Sequence, residues 1–376
     1  MDSIKILQQL LSYKSITGAD DGVILFLKKT LSKIGFKCDI LDFEDPKSYP
    51  VKNLHATYNP NNSKNILYFA GHTDVVPLGD GWDFDPFAGE IKNDKIYGRG
   101  VVDMKGAIAS FICAVAEFNQ TKKLEFGIGF LITGDEEGDA INGTVKMLDW
   151  MKSNKKPMTN CIIGEPTNPN ILGEEIKNGR RGSINFSLII NGKQGHVAYP
   201  QNAINPIAIL TMVLEKLNRH EFDNGNEFFL PTNLEIVEIS NSESASNVIP
   251  EKASAKFNIR FSSEHSSTSI IKIVKNICTN YANDFNLEYI ISGESFLTKP
   301  CKLLEVTQNA VFKVTQNMPQ ITTTGGTSDA RFIKDFCPVV ECGLVNKTAH
   351  QTNENTAVEN IYNLQKIYAE ILRNYE

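Results

Sequence analysis

The chain has 376 residues, 41% of them hydrophobic and 22% charged, which is ordinary for a globular protein and long enough for two domains. Its 38 basic and 44 acidic residues give a net charge of −6 without a long Lys/Arg run, which argues against nucleic acid or an anionic membrane as a partner. The seven cysteines are scattered and form no Cys-x-x-Cys pair, so neither a disulfide framework nor a thiolate zinc site is indicated.

The N-terminal segment, residues 1–17, has apolar residues at helical spacing, and we predict an amphipathic helix there. It lacks the positive region followed by an apolar core that marks a signal peptide, and no apolar run in the chain is long enough to span a bilayer. We therefore expect a protein of the reducing cytoplasm.

Residues 1 to about 180 alternate between helical and strand patterns, which favours a mostly parallel sheet flanked by helices. Three apolar runs in this part end at a polar motif. The runs and motifs are residues 66–70 before His72, residues 124–133 before Glu136 and Glu137, and residues 161–163 before Glu165. Open α/β sheets bind ligands at the carboxyl ends of their strands, so we expect these motifs to converge.

The pattern changes after residue 180. Strand-like residues 184–190, 234–239, 253–261 and 287–291 and helical residues 206–217 and 268–281 follow in the order β-α-β-β-α-β. That order is typical of a small ferredoxin-like α+β domain with one exposed sheet face. Helix and strand patterns resume after residue 293, and a last helix is predicted from about residue 358. We predict a catalytic domain of residues 1–180 and 294–376, interrupted by an inserted domain of residues 181–293.

Acidic and histidine motifs spread over most of the chain contain the ligand types of a two-metal hydrolase. Imidazoles and carboxylates bind divalent cations, a carboxylate can bridge two of them, and one more acid would remain as a base. Any one acidic cluster after a strand is more often a solvated turn. Five motifs together, at residues 71–74, 98–106, 134–138, 164–166 and 346–350, favour a metal centre. The candidate residues are His72, Asp74, Asp103, Glu136, Glu137, Glu165 and His350.

These motifs resemble those of the metal-dependent amidohydrolase and exopeptidase family that includes acetylornithine deacetylase, aminoacylase and bacterial glutamate carboxypeptidase. A narrower match, at residues 82–87, 177–183, 195–200 and 324–329, is to the members that act on N-succinyl-LL-2,6-diaminopimelate. Ala330 departs from the pattern, where a second small glycine is expected after Asp329. The resemblance covers the chain nearly end to end. It implies an α/β catalytic domain with an inserted dimerisation and lid domain.

The resemblance also implies roles for the metal residues. His72, Asp103 and Glu165 would bind one cation, and Asp103, Glu137 and His350 the other, with a cis peptide before Met104. Glu136 would be the general base, although spacing alone leaves the roles of Glu136 and Glu137 interchangeable, and the Asp74 carboxylate would accept a hydrogen bond from His72. Mixed nitrogen and oxygen ligands suit two zinc ions per subunit, and cobalt or manganese could substitute.

The expected activity is hydrolysis of N-succinyl-LL-2,6-diaminopimelate to succinate and LL-2,6-diaminopimelate, in lysine and cell-wall precursor synthesis. In this pattern the substrate would contact Arg180, Ser183, Asn247, Arg260, Gly326, Thr327 and Asn346. Arg181 is equally compatible with a surface position. The inserted domain would form a homodimer and present His196 to the site of the partner subunit. Alternatives are an acetylornithine deacetylase, a related exopeptidase, or a non-catalytic binding protein of the same fold.

Overall fold

The computed structural model describes residues 1–121, 125–243 and 245–375. Leu124, where one predicted strand begins, lies outside them. The helices are α1 Ser3–Leu11, α2 Val23–Lys33, α3 Gly106–Thr121, α4 Thr144–Ser153, α5 Pro206–Asn218, α6 Ser267–Tyr281, α7 Lys302–Thr315, α8 Ala330–Ile333 and α9 Val358–Asn374. The strands are β1 Lys37–Asp45, β2 Ser48–Tyr58, β3 Ile66–His72, β4 Ile91–Lys92, β5 Lys95–Tyr97, β6 Gly127–Thr133, β7 Asn160–Ile163, β8 Glu175–Lys177, β9 Gly179–Arg180, β10 Gly182–Asn191, β11 Gly195–His196, β12 Asn233–Asn241, β13 Val248–Ile249, β14 Lys252–Phe261, β15 Phe285–Gly293, β16 Phe296–Leu297, β17 Gln320–Thr322, β18 Val339–Glu341 and β19 Asn355–Ala357.

The chain divides into two compact units. The large unit comprises Met1–Gly179, Thr298–Thr322 and Ser328–Glu376. The small unit comprises Arg180–Leu297 and Thr323–Thr327. In sequence, the small unit is therefore inserted between parts of the large one. It also includes the short later segment Thr323–Thr327.

The large unit contains an eight-stranded sheet in the order β1-β2-β6-β3-β7-β18-β8-β17. Its central strands β6, β3, β7 and β18 are parallel neighbours, whereas β1 and β2 form an antiparallel hairpin at one side. β3, β6 and most of β7 are buried, as expected for central strands covered on both faces. The predicted fold class, a mostly parallel sheet with helices, is confirmed.

The core of the large unit lies where α3 packs against α1 and α9. Phe69 of β3 stacks on Phe111 of α3 with ring centroids 4.5 Å apart, and Phe111 meets the edge of Tyr368 of α9 at 5.3 Å. Each of these fully buried rings contributes roughly 1.5–3 kcal/mol through removal from water. Within the described ranges, no helix combines the length and apolarity needed to cross a membrane.

The predicted N-terminal helix is shorter than its apolar spacing indicated. α1 begins after Asp2, whose carboxylate accepts the N–H of Ile4 at 2.9 Å, and it ends at Leu11. The prediction that the helix reaches residue 17 is wrong, because the next residues bond to the segment after β3. Ser15 O accepts the N–H of Val75 at 2.9 Å, and Thr17 N–H donates to Val75 O at 3.0 Å.

The small unit has the predicted β-α-β-β-α-β order, with the short strands β11 and β13 inserted between these elements. Its four-stranded sheet runs β12-β14-β10-β15, and all neighbours are antiparallel. Helices α5 and α6 pack against each other and on this sheet. Alternating residues such as Phe186 and Phe257, stacked at 5.0 Å, form the core between sheet and helices. This is the strand order of a ferredoxin-like sandwich.

His55 is a buried ionisable residue of the sheet that matches no catalytic motif. It lies on β2, with Nε2 2.9 Å from the Tyr68 hydroxyl and Nδ1 3.3 Å from Asp39 Oδ2. Burial lowers the pKa of His55 to about 4, although the hydrogen bond to Asp39 opposes the shift. The unfolded chain therefore binds a proton at this residue more readily than the folded chain does.

We expect His55 to make the large unit less stable as the pH falls from the unfolded pKa near 6.5 toward 4. Between pH 7 and pH 5 the wild type should lose ~2 kcal/mol of unfolding free energy more than the variant His55→Gln, which does not titrate. Urea titrations followed by tryptophan fluorescence measure this, because Trp82 and Trp150 both lie in the large unit. Equal losses in the two proteins would contradict the assignment.

Candidate metal centre

Three neighbouring parallel strands deliver polar side chains to one edge of the sheet. His72 ends β3 and pairs in register with Thr133, the last residue of β6. Ala70 pairs with Ile163, the last residue of β7. Residues just beyond β6 and β7 therefore leave the sheet beside His72, which explains why the glutamates that follow these strands approach its imidazole.

Asp103 reaches the same point from the turn between β5 and α3. The turn contains a cis peptide between Asp103 and Met104, as the resemblance implies. It starts at Gly100 with φ +85, and a Cβ there would lie 2.6 Å from Val75 Cγ1, so only glycine fits. One oxygen of Asp103 lies 3.1 Å from His72 Nε2, and the other lies 3.1 Å from His350 Nε2. This is the arrangement expected of a bridging carboxylate.

The remaining candidate ligands surround Asp103. His350 Nε2 is also 2.8 Å from Glu137 Oε1, and His72 Nε2 is 3.7 Å from Glu165 Oε1. Ligand atoms of His72, Asp103 and Glu137 lie within 4.8 Å of one another. The same holds for His72, Glu136 and Glu165.

Both adjacent glutamates thus reach the centre. Glu137 groups with Asp103 and His72 and contacts His350, whereas Glu136 groups with Glu165 and the same His72. Two neighbouring residues can diverge in this way because the chain after β6 is irregular. The contact with His350 favours Glu137 as the ligand of the second cation, and it leaves Glu136 beside the first.

Asp74 supports the centre differently from the prediction. The Nδ1 atom of His72 hydrogen-bonds the backbone carbonyl of Asp74 at 2.9 Å, while the carboxylate Oδ1 is 3.6 Å away. The carboxylate instead accepts the backbone N–H groups of Glu136 at 3.2 Å and Glu137 at 3.0 Å. Asp74 therefore orients the imidazole through its main chain and the two glutamates through its side chain.

The electrostatics reflect crowded acids. Burial raises the pKa of Glu165 well above its usual value, and the charges of Asp103 and Glu136 add to it. Burial also raises the pKa of Glu136 well above its usual value; His72 opposes this, and Asp329 adds to it. Hydrogen bonds to Asp103 and Glu137 raise the pKa of His350 to about 10.

These residues fit a pair of divalent cations. Asp103, Glu136, Glu137 and Glu165 bring four carboxylates against two imidazoles at one largely buried point. Burying so much negative charge is costly unless it is neutralised, which two divalent cations would do. The mixed nitrogen and oxygen donors match zinc and similar metals.

Several predicted substrate residues lie in the small unit. Arg180 is buried and donates from Nη1 to the carbonyl of Thr324 at 3.1 Å, which ties it to the segment that contains Gly326 and Thr327. Ser183 pairs with Arg260 across β10 and β14. Arg181, whose position the sequence left open, donates to Asn233 Oδ1 at 2.8 Å.

His196 and Asn247 are neighbours in the small unit, because Val197 N–H donates to Asn247 O at 3.2 Å. His196 is exposed, and its Nδ1 accepts the N–H of Ala198 at 3.0 Å. In a neutral imidazole the proton then resides on Nε2, which can donate to a ligand.

Asn346 lies in the large unit, at the start of the short helical turn that precedes His350.

Three residues that support the centre, Tyr49, Arg99 and Glu354, are not among the predicted site residues. The Tyr49 hydroxyl donates to Oδ1 of Asp135 at 2.5 Å, and Asp135 is the residue directly before Glu136 in the chain. Arg99 and Glu354 form a buried ion pair behind Asp103, with Nη1 2.8 Å from Oε2. The only available signal was that Arg99 stands inside the motif around Asp103; nothing near Glu354 indicated a role.

Comparisons with known proteins agree with this geometry. A family model described as peptidase family M20/M25/M40 matches residues 68–374. The chain is 48% identical, over 100% of its length, to the succinyl-diaminopimelate desuccinylase of Ehrlichia canis, of which it covers 98%. It resembles the M20 family metallo-carboxypeptidase Sso-CP2 of Sulfolobus solfataricus with TM-score 0.83 at 20% identity, covering 100% of this chain and 99% of that one. A dinuclear metal-binding M20 peptidase of Bacillus subtilis gives TM-score 0.70 at 15% identity, covering 98% and 96% of the two chains.

We expect His350→Ala to weaken one zinc site far more than the other, since His350 contacts only Asp103 and Glu137 among the candidate ligands. Loss of a direct ligand should cost more than the ~10–100-fold typical of losing an outer partner. Zinc titration of the metal-free protein against a chromophoric chelator measures both affinities. His220→Ala, which removes an exposed histidine of the small unit, is the control. Equal affinity at both sites of His350→Ala would refute the assignment.

Proposed function

The chain belongs to peptidase family M20/M25/M40, and we propose that it hydrolyses the amide bond of N-succinyl-LL-2,6-diaminopimelate to succinate and LL-2,6-diaminopimelate. The observation that supports the reaction type most strongly is the Asp103 carboxylate facing both His72 and His350, as a two-cation centre requires. The full-length similarity to a desuccinylase supports the substrate.

The cations would be held by two ligand sets that share Asp103, one with His72 and Glu165 and the other with Glu137 and His350. When bound, they would polarise the scissile carbonyl and lower the pKa of a water molecule from its bulk value toward ~7. We favour zinc because the donors combine imidazoles with carboxylates, and cobalt or manganese fit the same set.

Glu136 is our proposed general base and acid. It takes a proton from the attacking water as the new C–O bond forms, and it delivers this proton to the leaving nitrogen as the C–N bond breaks. Its backbone N–H is held by the Asp74 carboxylate at 3.2 Å, which limits its motion between the two steps. General acid–base help of this kind contributes typically ~10²–10⁴-fold to the rate.

Recognition of the substrate carboxylates is assigned to the arginines of the small unit. A guanidinium binds a carboxylate through two parallel hydrogen bonds, and Arg180 and Arg260 supply such groups. Ser183, Asn247, Thr327 and the backbone at Gly326 offer neutral donors and acceptors, and Asn346 does so from the large unit. Arg181, which donates to Asn233 Oδ1 at 2.8 Å, stays open as a further carboxylate-binding group.

We further propose that the small unit forms a homodimer and that His196 serves the partner subunit. Its Nε2 would donate to the oxyanion of the tetrahedral intermediate, and the bond from Ala198 N–H to Nδ1 fixes the required tautomer. Removal of one such donor typically lowers turnover ~10²–10³-fold.

A second candidate is a metallo-exopeptidase, because the M20 carboxypeptidase of Sulfolobus solfataricus shares the fold.

An assay of the zinc-loaded protein with N-succinyl-LL-2,6-diaminopimelate, N-acetylornithine and a dipeptide decides between the desuccinylase, deacetylase and exopeptidase activities. We expect the succinylated substrate to give the highest kcat/KM. A higher kcat/KM for either of the others would reassign the substrate, and no turnover of any would favour a binding protein.

Glu136→Gln should keep two bound cations and lose nearly all turnover, because the amide keeps the shape of the side chain but cannot move protons. Metal analysis after dialysis and the kcat of the same preparation test both parts. Loss of one cation would instead make Glu136 a ligand and Glu137 the candidate base. Glu305→Gln, which changes an exposed acid of the large unit, is the matched control.

The dimer proposal predicts complementation between inactive variants. Glu136→Gln and His196→Ala, dissociated and remixed, should form about half mixed dimers, each with one intact site if His196 acts in the partner. About a quarter of wild-type activity should then return. If His196 serves its own subunit, every site keeps one defect. Mixing verified by mass, without recovered activity, would rule out the action in the partner.

A further inference from the structure

Glu354 is a buried acid, and its hydrogen bonds within the described residues do not include a side chain of a candidate metal ligand. Its carboxylate instead accepts backbone N–H groups of the turn that contains Asp103. The donors are Val102 at 2.8 Å and Asp103 at 3.3 Å on Oε1, and Gly100 at 3.0 Å on Oε2. The turn is therefore folded around this carboxylate.

Arg99 supplies the counter-charge and extends the connection. Its Nη1 donates to Glu354 Oε2 at 2.8 Å, and the residue is only 2% exposed. Its Nη2 donates to the carbonyls of Leu78 at 3.0 Å, Pro77 at 3.2 Å and His350 at 3.4 Å. The ion pair thus joins the loop after β3, the turn with Asp103 and the segment with His350.

This connection matters because the sheet does not position His350. His72 and the glutamates lie at or just beyond the ends of adjacent strands, but His350 is 247 positions from Asp103 in sequence and lies in an irregular segment. His350 has φ +62, in the left-handed region that a non-glycine residue occupies only where its surroundings hold it. Arg99 provides one such hold, since its guanidinium donates to the His350 carbonyl.

We propose that the Arg99–Glu354 ion pair is a positioning element that sets the affinity of the cation site formed by Asp103, Glu137 and His350, without touching a cation. The inference rests on the metal centre of the proposed function. Loss of the ion pair frees Arg99, whose guanidinium donates to the His350 carbonyl at 3.4 Å. His350 belongs to this site alone, so its cation is affected more than the one that keeps His72 and Glu165. Outer partners of this kind typically change metal affinity ~10–100-fold when removed.

The test is Glu354→Gln, which keeps the size of the side chain. Whichever way the amide turns, its NH₂ group faces N–H donors, either those of Val102 and Asp103 or those of Gly100 and Arg99. Zinc titration of the metal-free protein against a chromophoric chelator should show one site weakened ~10–100-fold and the other within about threefold of wild type. Arg99→Lys keeps the positive charge but lacks the planar guanidinium that donates to several carbonyls, so it should show the same selective loss. It replaces Glu354→Gln if that variant does not fold.

Glu370→Gln is the matched control. Glu370 is also a buried, paired acid, with Lys313 Nζ at 2.7 Å, but it lies on α9 and contacts none of the ligand segments in the described contacts. Both zinc affinities of this variant should equal those of the wild type. Thermal unfolding of the metal-free proteins shows how much stability each variant loses.

A double variant separates positioning from a merely structural role. In the His350→Ala background the site in question is already lost, so adding Glu354→Gln should change the remaining affinity less than about threefold. Unchanged affinities in Glu354→Gln, or equal weakening of both sites, would overturn the proposal. If the wild type itself fails to bind two cations, the metal centre of the proposed function is wrong, whereas two tight sites in both wild type and Glu354→Gln reject only the positioning role.

Discussion

The carboxylate of Asp103 is the group on which the centre depends, because both imidazoles contact it. Each of its oxygens lies 3.1 Å from a histidine nitrogen. Hydrogen bonds to His350 and His72 outweigh burial and keep the pKa of Asp103 below its usual value. The surrounding glutamates add further carboxylates at this point, and two divalent cations would neutralise their charge.

The centre is assembled in two physically different ways. The sheet places His72, the Glu136–Glu137 pair and Glu165, since three parallel strands end side by side and their following residues must meet. The other half is assembled by side chains that hold backbone groups. Arg99 and Glu354 join the turn of Asp103 to the segment of His350. In the same way, the Asp74 carboxylate accepts the N–H groups of the two glutamates that the sheet has brought near. Regular structure sets the first half, and buried polar pairs set the second.

The small unit has its own core and its own chemistry. Alternating apolar residues of β10 and β14 pack under α5 and α6, so the unit needs nothing from the large one to bury its sheet face. The groups it offers to a ligand are arginines, hydroxyls and one imidazole whose tautomer is set locally. These groups recognise carboxylates and oxyanions, which complements the cation chemistry of the large unit in the reaction we propose.

Residue order and hydropathy alone determined the sheet type, the order of elements in the small unit and the family, because apolar periodicity and short metal-binding motifs are local in sequence. The motifs also predict His72, Asp103 and His350 as candidate ligands, and these side chains lie together in the structure. Only the tertiary structure showed that α1 stops at Leu11, since the competing hydrogen bonds come from the segment after β3. It alone revealed the role of Glu354, because the energy of a buried ion pair depends on which distant backbone groups surround it, and no local pattern of residues records that.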